Sequence, residues 1–223
     1  MEVIRILSTK KLLPNHKQFL LNAGFSVLEA DFISVQFSEF ELDAVGQNLL
    51  FTSQNAFSSF LLNEKSTNFK DRPVFCIGSK TKEAIEKAGY TVVASADYAE
   101  ELAETITDNH AAESFTFFSG SMRRDTLPDA LAKADVVLNE IEVYRTVLSP
   151  HDIKSTISGI LFFSPSGVES YLKANKIQNE VCFCIGTTTS QALKGITYNV
   201  VIANKPTVEN VIIQCINYYK NSI

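Results

Sequence analysis

Two stretches of the chain repeat one another: "FCIGSKTKEAI" (residues 75–85) and "FCIGTTTSQAL" (183–193). Each is a short apolar run, a glycine, a cluster of small hydroxylated residues, then a segment with helical spacing of its apolar positions. A run of four to six apolar residues that breaks at glycine and turns amphipathic reads as a buried strand feeding a helix. The same alternation extends outward in both directions. Apolar runs stand at 3–7, 25–35, 48–52, 74–78, 91–95, 114–120, 134–147, 159–164, 181–186 and 199–204, with helix-period segments such as "TVENVIIQCINYYK" (207–220) between them. Strand and helix in regular alternation predict an α/β protein with parallel sheets.

Ten strands divide naturally into two sheets of five, and internal similarity supports the division. Aligning "LLFTSQNAFSSFLL" with "ILFFSPSGVESYLK" sets Ser53 on Ser164; the neighbouring alignments set Ser8 on Ser119 and Gly24 on Asp135, each pair 111 residues apart. Gly78 and Gly186 are 108 apart, which one short deletion accommodates. Residues 25–37 and 134–148 read as unusually long extended stretches, beyond the ordinary strand of five or six residues. Such strands can leave one sheet and run on as connectors. The chain is therefore expected to form a discontinuous lobe from 1–34 and 149–223 and an inserted lobe from 38–140. Residues 35–37 and 141–148 would serve as a two-stranded linker, with a cleft between the lobes.

Composition narrows the function. A net charge of −5 with scattered Lys and Arg lacks the concentrated basic footprint that nucleic acid requires. No run approaches the roughly 20 apolar residues that cross a bilayer, and "MEVIRILSTKKLLPNHK" lacks the long apolar core and cleavage site of a secretory leader. A cytoplasmic monomer is expected, without nucleic-acid or membrane partners. Cys76, Cys182, Cys184 and Cys215 lie inside apolar runs, as free core thiols do in a reducing compartment; metal or redox use is the alternative reading. His16, His110 and His151 are isolated, which argues against a histidine metal site.

In open α/β sheets ligands bind beyond the carboxyl ends of the strands. Five turns there are peculiar: "FTSQNA" (51–56), "IGSKT" (77–81), "FSGSMRR" (118–124), "FSPSG" (163–167) and "IGTTTS" (185–190). Glycine lets backbone amides approach a ligand, and a helix start offers free N–H groups, so such turns suit carboxylates or phosphates. Ser and Thr are also the preferred helix N-caps, which is the plain structural alternative. No Walker loop or dinucleotide fingerprint is present. Arg123 and Arg124 are candidates for pairing with carboxylates. Tyr144, in "EVYRT" on the second connector, is a candidate proton donor to a leaving hydroxyl, with hinge packing as its alternative. No Ser-His-Asp set, carboxylate pair or His-Glu-x-x-His helix appears, so any chemistry here rests on positioning.

The ordered set "LLFTSQNAF", "CIGSKTKEAIEKAGY", "FFSGSMRRDTLPDAL", "IEVYRT", "FFSPSGVESYL", "CIGTTTSQAL" and "KPTVENVI" resembles the uroporphyrinogen-III synthase family over essentially the whole chain. The resemblance implies two similar parallel-sheet, flavodoxin-like lobes joined by two strands, and a tetrapyrrole-pathway lyase that uses no cofactor. Its substrate would be hydroxymethylbilane, a linear tetrapyrrole with eight carboxylates, closed with inversion of ring D and loss of water. Carried over by position, Tyr144 matches the family tyrosine proposed to assist hydroxyl departure. Ser53, Ser164, Ser166, Gly186, Thr187 and Thr188 match cleft-lining turn positions, and Gly120 and Arg124 match a Gly-x-x-Arg turn. Thr52, Gly78, Thr81, Ser119, Arg123 and Gly167, in the same turns, complete the expected substrate-binding set. Two other classes compete: a non-enzymatic two-lobed binder of an anionic small molecule, and a flavin binder. The second would want a Ser/Thr-rich phosphate loop after the first strand, where "LSTKK" (7–11) is a thin version.

Overall fold

The structure is a computed structural model and describes residues 3–220. The chain divides into two compact units, one formed by the chain up to Ser34 and from Val147 onward, the other by Val35–Thr146.

The first unit carries a five-stranded sheet. Its strands are β1 (Arg5–Ser8), β2 (Ser26–Glu29), β9 (Gly159–Phe162), β10 (Val181–Cys184) and β11 (Val200–Ile202), in the order β11-β10-β9-β1-β2. Every pairing is parallel. Taken in chain order this is the 2-1-3-4-5 arrangement of flavodoxin-like sheets. Its helices are α1 (Pro14–Asn22), α6 (Pro165–Ala174), α7 (Thr187–Gln191) and α8 (Val208–Lys220).

The second unit carries six strands: β3 (Ile33–Phe37), β4 (Asn48–Phe51), β5 (Val74–Ile77), β6 (Val92–Ala96), β7 (Ser114–Gly120) and β8 (Val137–Leu148), in the order β3-β8-β7-β4-β5-β6. Helices α2 (Gln54–Leu62), α3 (Ser79–Lys87), α4 (Ala99–Asn109) and α5 (Thr126–Lys133) connect them, with a 3₁₀ segment at Glu64–Phe69. Apart from the edge strand β3, this sheet repeats the order of the first. β4, β5 and β6 correspond to β9, β10 and β11, and β7 and β8 correspond to β1 and β2.

The internal repeat extends to backbone detail. Gly24 and Asp135, aligned by the 111-residue offset, both have positive φ, +87° and +54°. Each follows a helix, and the residue after it bonds back the same way: Phe25 N–H to Leu20 O, and Val136 N–H to Leu131 O. This is a left-handed helix stop, which glycine takes freely and Asp tolerates better than most side chains.

Two expectations need correction. Residues 25–37 are not one long strand but β2 and β3, so the described residues hold eleven strands, five and six rather than five and five. The break has a local cause. Phe32 turns fully into the core of the first unit against Leu7 and Phe162, while its N–H bonds to Thr9 O and its carbonyl accepts from Ser149 N–H. Burying that ring ends β2, and the chain resumes as the edge of the other sheet. The second stretch does run unbroken, as the 12-residue β8.

The central strands read as continuous apolar runs because both faces are covered. Leu49 and Phe51 enter one core and Leu50 the other. In the first of these Phe51, Phe60 and Phe118 meet at centroid distances of 4.8 to 5.4 Å.

Candidate active site

In the second unit the carboxyl ends of β4, β5, β6 and β7, with Tyr144 from within β8, surround a pocket of about 360 Å³. Thr52, Ser53, Gly120, Arg123, Arg124 and Tyr144 line it together, six of the residues singled out from sequence. The volume lies near the lower end of the roughly 300–1,000 Å³ usual for small-ligand sites.

Three features place Tyr144. First, β7 and β8 pair in regular register as far as Ser119–Glu142, and then Gly120 faces Tyr144, so Val143 is an extra residue on β8. This bulge sends Val143 inward, fully buried, and brings Tyr144 to the pocket. The Val143 carbonyl accepts from Ser59 Oγ and from Ser38 N–H, so the irregular backbone is satisfied. Second, the ring lies against the Gly120 backbone: a Cβ built on Gly120 would fall 2.3 Å from Tyr144 Cζ. Third, Ser53 Oγ donates to Tyr144 Oη at 3.2 Å while accepting Ala56 N–H at 3.1 Å. Ser53 is thus the N-cap of α2 and a partner of the phenol at once.

The two arginines differ sharply. Arg123 is committed internally: Nη1 pairs with Asp125, and Nε contacts Glu140 at 2.6 Å. Those carboxylates, Asp125 foremost, raise its already high pKa further. Arg124 is exposed and makes no ion pair among the described residues. Asp97 and Glu100, from the turn after β6, also line the pocket. That turn went unnoticed in the sequence because "ADYAE" has neither glycine nor a hydroxyl cluster; its position after a strand and before a helix was the available signal.

The remaining candidates lie elsewhere. Ser119 is buried inside β7, and Thr81 is buried in the first turn of α3, behind Gly78, whose φ is +87°. In the first unit Ser164 caps α6, its Oγ accepting Gly167 N–H and bonding Ser166 Oγ, both at 3.0 Å. Ser53 and Ser164 therefore cap their helices identically, each through the N–H three residues on. Gly186, Thr187 and Thr188 open α7, Thr187 exposed and Thr188 half-buried. Gly78 and Gly186 accept the same pair of N–H groups, from Thr81 and Lys82 and from Thr189 and Ser190. Their backbones differ, because Gly186 is extended, with φ −173°.

A larger groove of about 630 Å³ lies beside Phe37 and Leu62, but Glu39, Glu41 and Glu64 line it against Lys65 alone. That charge repels a polycarboxylate. No group of three or more potential metal ligands occurs among the described residues, and no helix there is long and apolar enough to cross a membrane.

The architecture is that of an α/β protein built by duplication, with a placed phenol and hydrogen-bond donors at its strand ends in place of a nucleophile. Residues 17–213 match the family model described as uroporphyrinogen-III synthase HemD, and the chain belongs to that family of cyclising lyases of heme biosynthesis. It is similar to the uroporphyrinogen-III synthetase of Helicobacter pylori 26695, with 18% identity over 97% of this chain and 100% of that one and a TM-score of 0.76. It is also similar to a mutant uroporphyrinogen III synthase of the extremely thermophilic bacterium Thermus thermophilus, with 12% identity, coverage of 99% and 100%, and a TM-score of 0.68. At these identities the two structures speak to the fold. Its activity is that of the family, closure of hydroxymethylbilane to uroporphyrinogen III.

Proposed function

We propose that the pocket at the strand ends of the Val35–Thr146 unit receives the hydroxymethyl-bearing end of the linear tetrapyrrole, and that Tyr144 is the acid that releases the hydroxyl. The observation that carries this reading is the fixed phenol, backed by Gly120 and bonded to Ser53 at 3.2 Å. The C–O bond breaks with its electrons on oxygen, and the Tyr144 proton completes the departing water. Electrons of the pyrrole ring fill the carbon left behind. The substituted carbon of ring D attacks that carbon to give a spiro intermediate. Ring D's original bond to the ring C methylene then breaks, and the methylene bonds instead to the unsubstituted carbon of ring D, whose hydrogen leaves as the proton that restores the phenol.

Free bilane closes spontaneously without inverting ring D, so the protein must hold a flexible polyanion in one shape. Arg124 and the amides of the hydroxylated turns supply donors for its carboxylates without a strongly basic surface. Thr52 and Gly120 belong to the same set, as do the first unit's turns at Ser164, Ser166, Gly167, Gly186, Thr187 and Thr188. The protein is proposed to act in the cytoplasm, as a monomer and without a cofactor.

The test generates hydroxymethylbilane in situ, adds wild-type or Tyr144→Phe protein, oxidises the products and separates isomers I and III. Tyr144→Phe is expected to lower kcat on the order of 10²-fold, the lower end of general-acid contributions, with KM within about twofold. Wild-type turnover in Tyr144→Phe removes the phenol from the acid role.

A further inference from the structure

Ser53 resembles every other capping serine in sequence, and position alone assigns it to substrate binding. Its geometry is more restrictive. The hydroxyl has one proton and two lone pairs. Ala56 N–H at 3.1 Å uses a lone pair, and the proton is directed to Tyr144 Oη at 3.2 Å. A serine spent in this way has no proton left for a substrate carboxylate. Its counterpart Ser164 makes the equivalent cap, but its second partner is another serine, Ser166. The duplicated turns thus share the cap and differ in what the hydroxyl does next.

The geometry points to Ser53 as a positioning residue that orients the Tyr144 phenol, and not as a ligand for the substrate; the inference rests on the acid role of Tyr144. Because Ser53 donates, the phenol oxygen accepts, and the phenol's own proton is left to point into the pocket. As that proton moves to the departing hydroxyl, negative charge grows on Tyr144 Oη. The bond from Ser53 then becomes charge-assisted and strengthens, which is the condition for lowering a barrier instead of merely tightening binding. The helix start at residue 54 fixes the donor in advance, so no reorganisation is needed when the proton leaves.

The test separates the cap from the phenol contact. Ser53→Gly removes the hydroxyl with the mildest replacement an N-cap accepts, and Ser53→Thr retains both functions. Ser53→Gly is expected to lower kcat about tenfold with KM within about twofold, and Ser53→Thr to recover most of that loss. In the Tyr144→Phe background Ser53→Gly is expected to change nothing, because Ser53 acts through the phenol. The same factor lost in both backgrounds, or a loss confined to KM, overturns the inference and returns Ser53 to substrate binding. Wild-type turnover in Tyr144→Phe instead overturns the acid reading on which it rests. A Raman difference spectrum of the tyrosine ring doublet, with and without Tyr144, decides the contact independently of activity. Ser53→Gly should move Tyr144 from hydrogen-bond acceptor towards donor, and an unchanged doublet refutes the contact.

Discussion

The ring of Tyr144 fills the space that any side chain on Gly120 would need, with a built Cβ lying 2.3 to 2.7 Å from three of its ring atoms. The glycine serves contact and not conformation, since its φ is outside the left-handed region. Gly120→Ala must push the ring away from β7 and stretch the 3.2 Å contact to Ser53. Turnover is expected to fall at least as far as in Tyr144→Phe, on the order of 10²-fold. The thermal midpoint should drop by only a few degrees, as for about 1 kcal/mol of local strain. Wild-type kcat in Gly120→Ala would show that the observed ring position is not the working one.

Adjacent arginines at one turn invite a single role, yet only one of them is available. Arg123 is already paired with Asp125 and Glu140, whereas Arg124 has no ionic partner among the described residues. Arg124→Met is expected to raise KM for hydroxymethylbilane about tenfold, the loss of one charge-assisted contact worth about 1.5 kcal/mol. Arg123→Met should change KM less than about threefold, with a stability cost near 1 kcal/mol for a partly exposed pair. The reverse ranking in steady-state kinetics would reassign the two residues.

Much of this is legible before any coordinates, because duplication writes the same physics twice. The offset linking Ser53 to Ser164 predicts two caps of identical geometry, and the offset linking Gly24 to Asp135 finds two left-handed helix stops although the residue types differ. What stays hidden depends on tertiary context. Nothing in "EADFISV" announces that Phe32 leaves the strand to fill the first core. Nothing in "EIEVYRT" marks Val143 as the bulged residue, since an unbroken alternation would have served a straight strand equally well. Asp97 and Glu100 reach the pocket only through the fold of β6 and α4, in a turn with no compositional signal. The Cys-x-Cys pair shows the converse: both side chains lie in one apolar core, as strand periodicity requires.

Those thiols should be inert. Burial raises Cys76 to about 11 and Cys182 and Cys184 to about 12, and lifts Cys215 as well. The thiolate is the reacting species, so at pH 8 the native protein is expected to release no colour from Ellman's reagent within minutes. All four cysteines should react once guanidinium unfolds the chain. Stoichiometric reaction of the folded protein would mean that β5, β10 or α8, which carry these cysteines, opens readily.

Acid should weaken the first unit through Glu29, at the end of β2. Burial of its carboxyl raises its pKa, but the opposing contacts prevail. Lys17 pairs with one oxygen and Leu12 N–H donates to the other at 2.8 Å, so the folded value lies below the ordinary 4.5. A carboxyl whose pKa is depressed by folding adds stability above its unfolded value and loses it as pH falls through the folded one. Urea midpoints are therefore expected to hold from pH 7 to about 5 and to decline below the ordinary carboxylate value of 4.5. Glu29→Gln should be less stable at pH 7 and show a shallower decline below pH 4.5, because its amide has no proton to gain. Parallel curves for the two proteins between pH 5 and 3 would show that the Lys17–Glu29 contact contributes nothing to the acid limb.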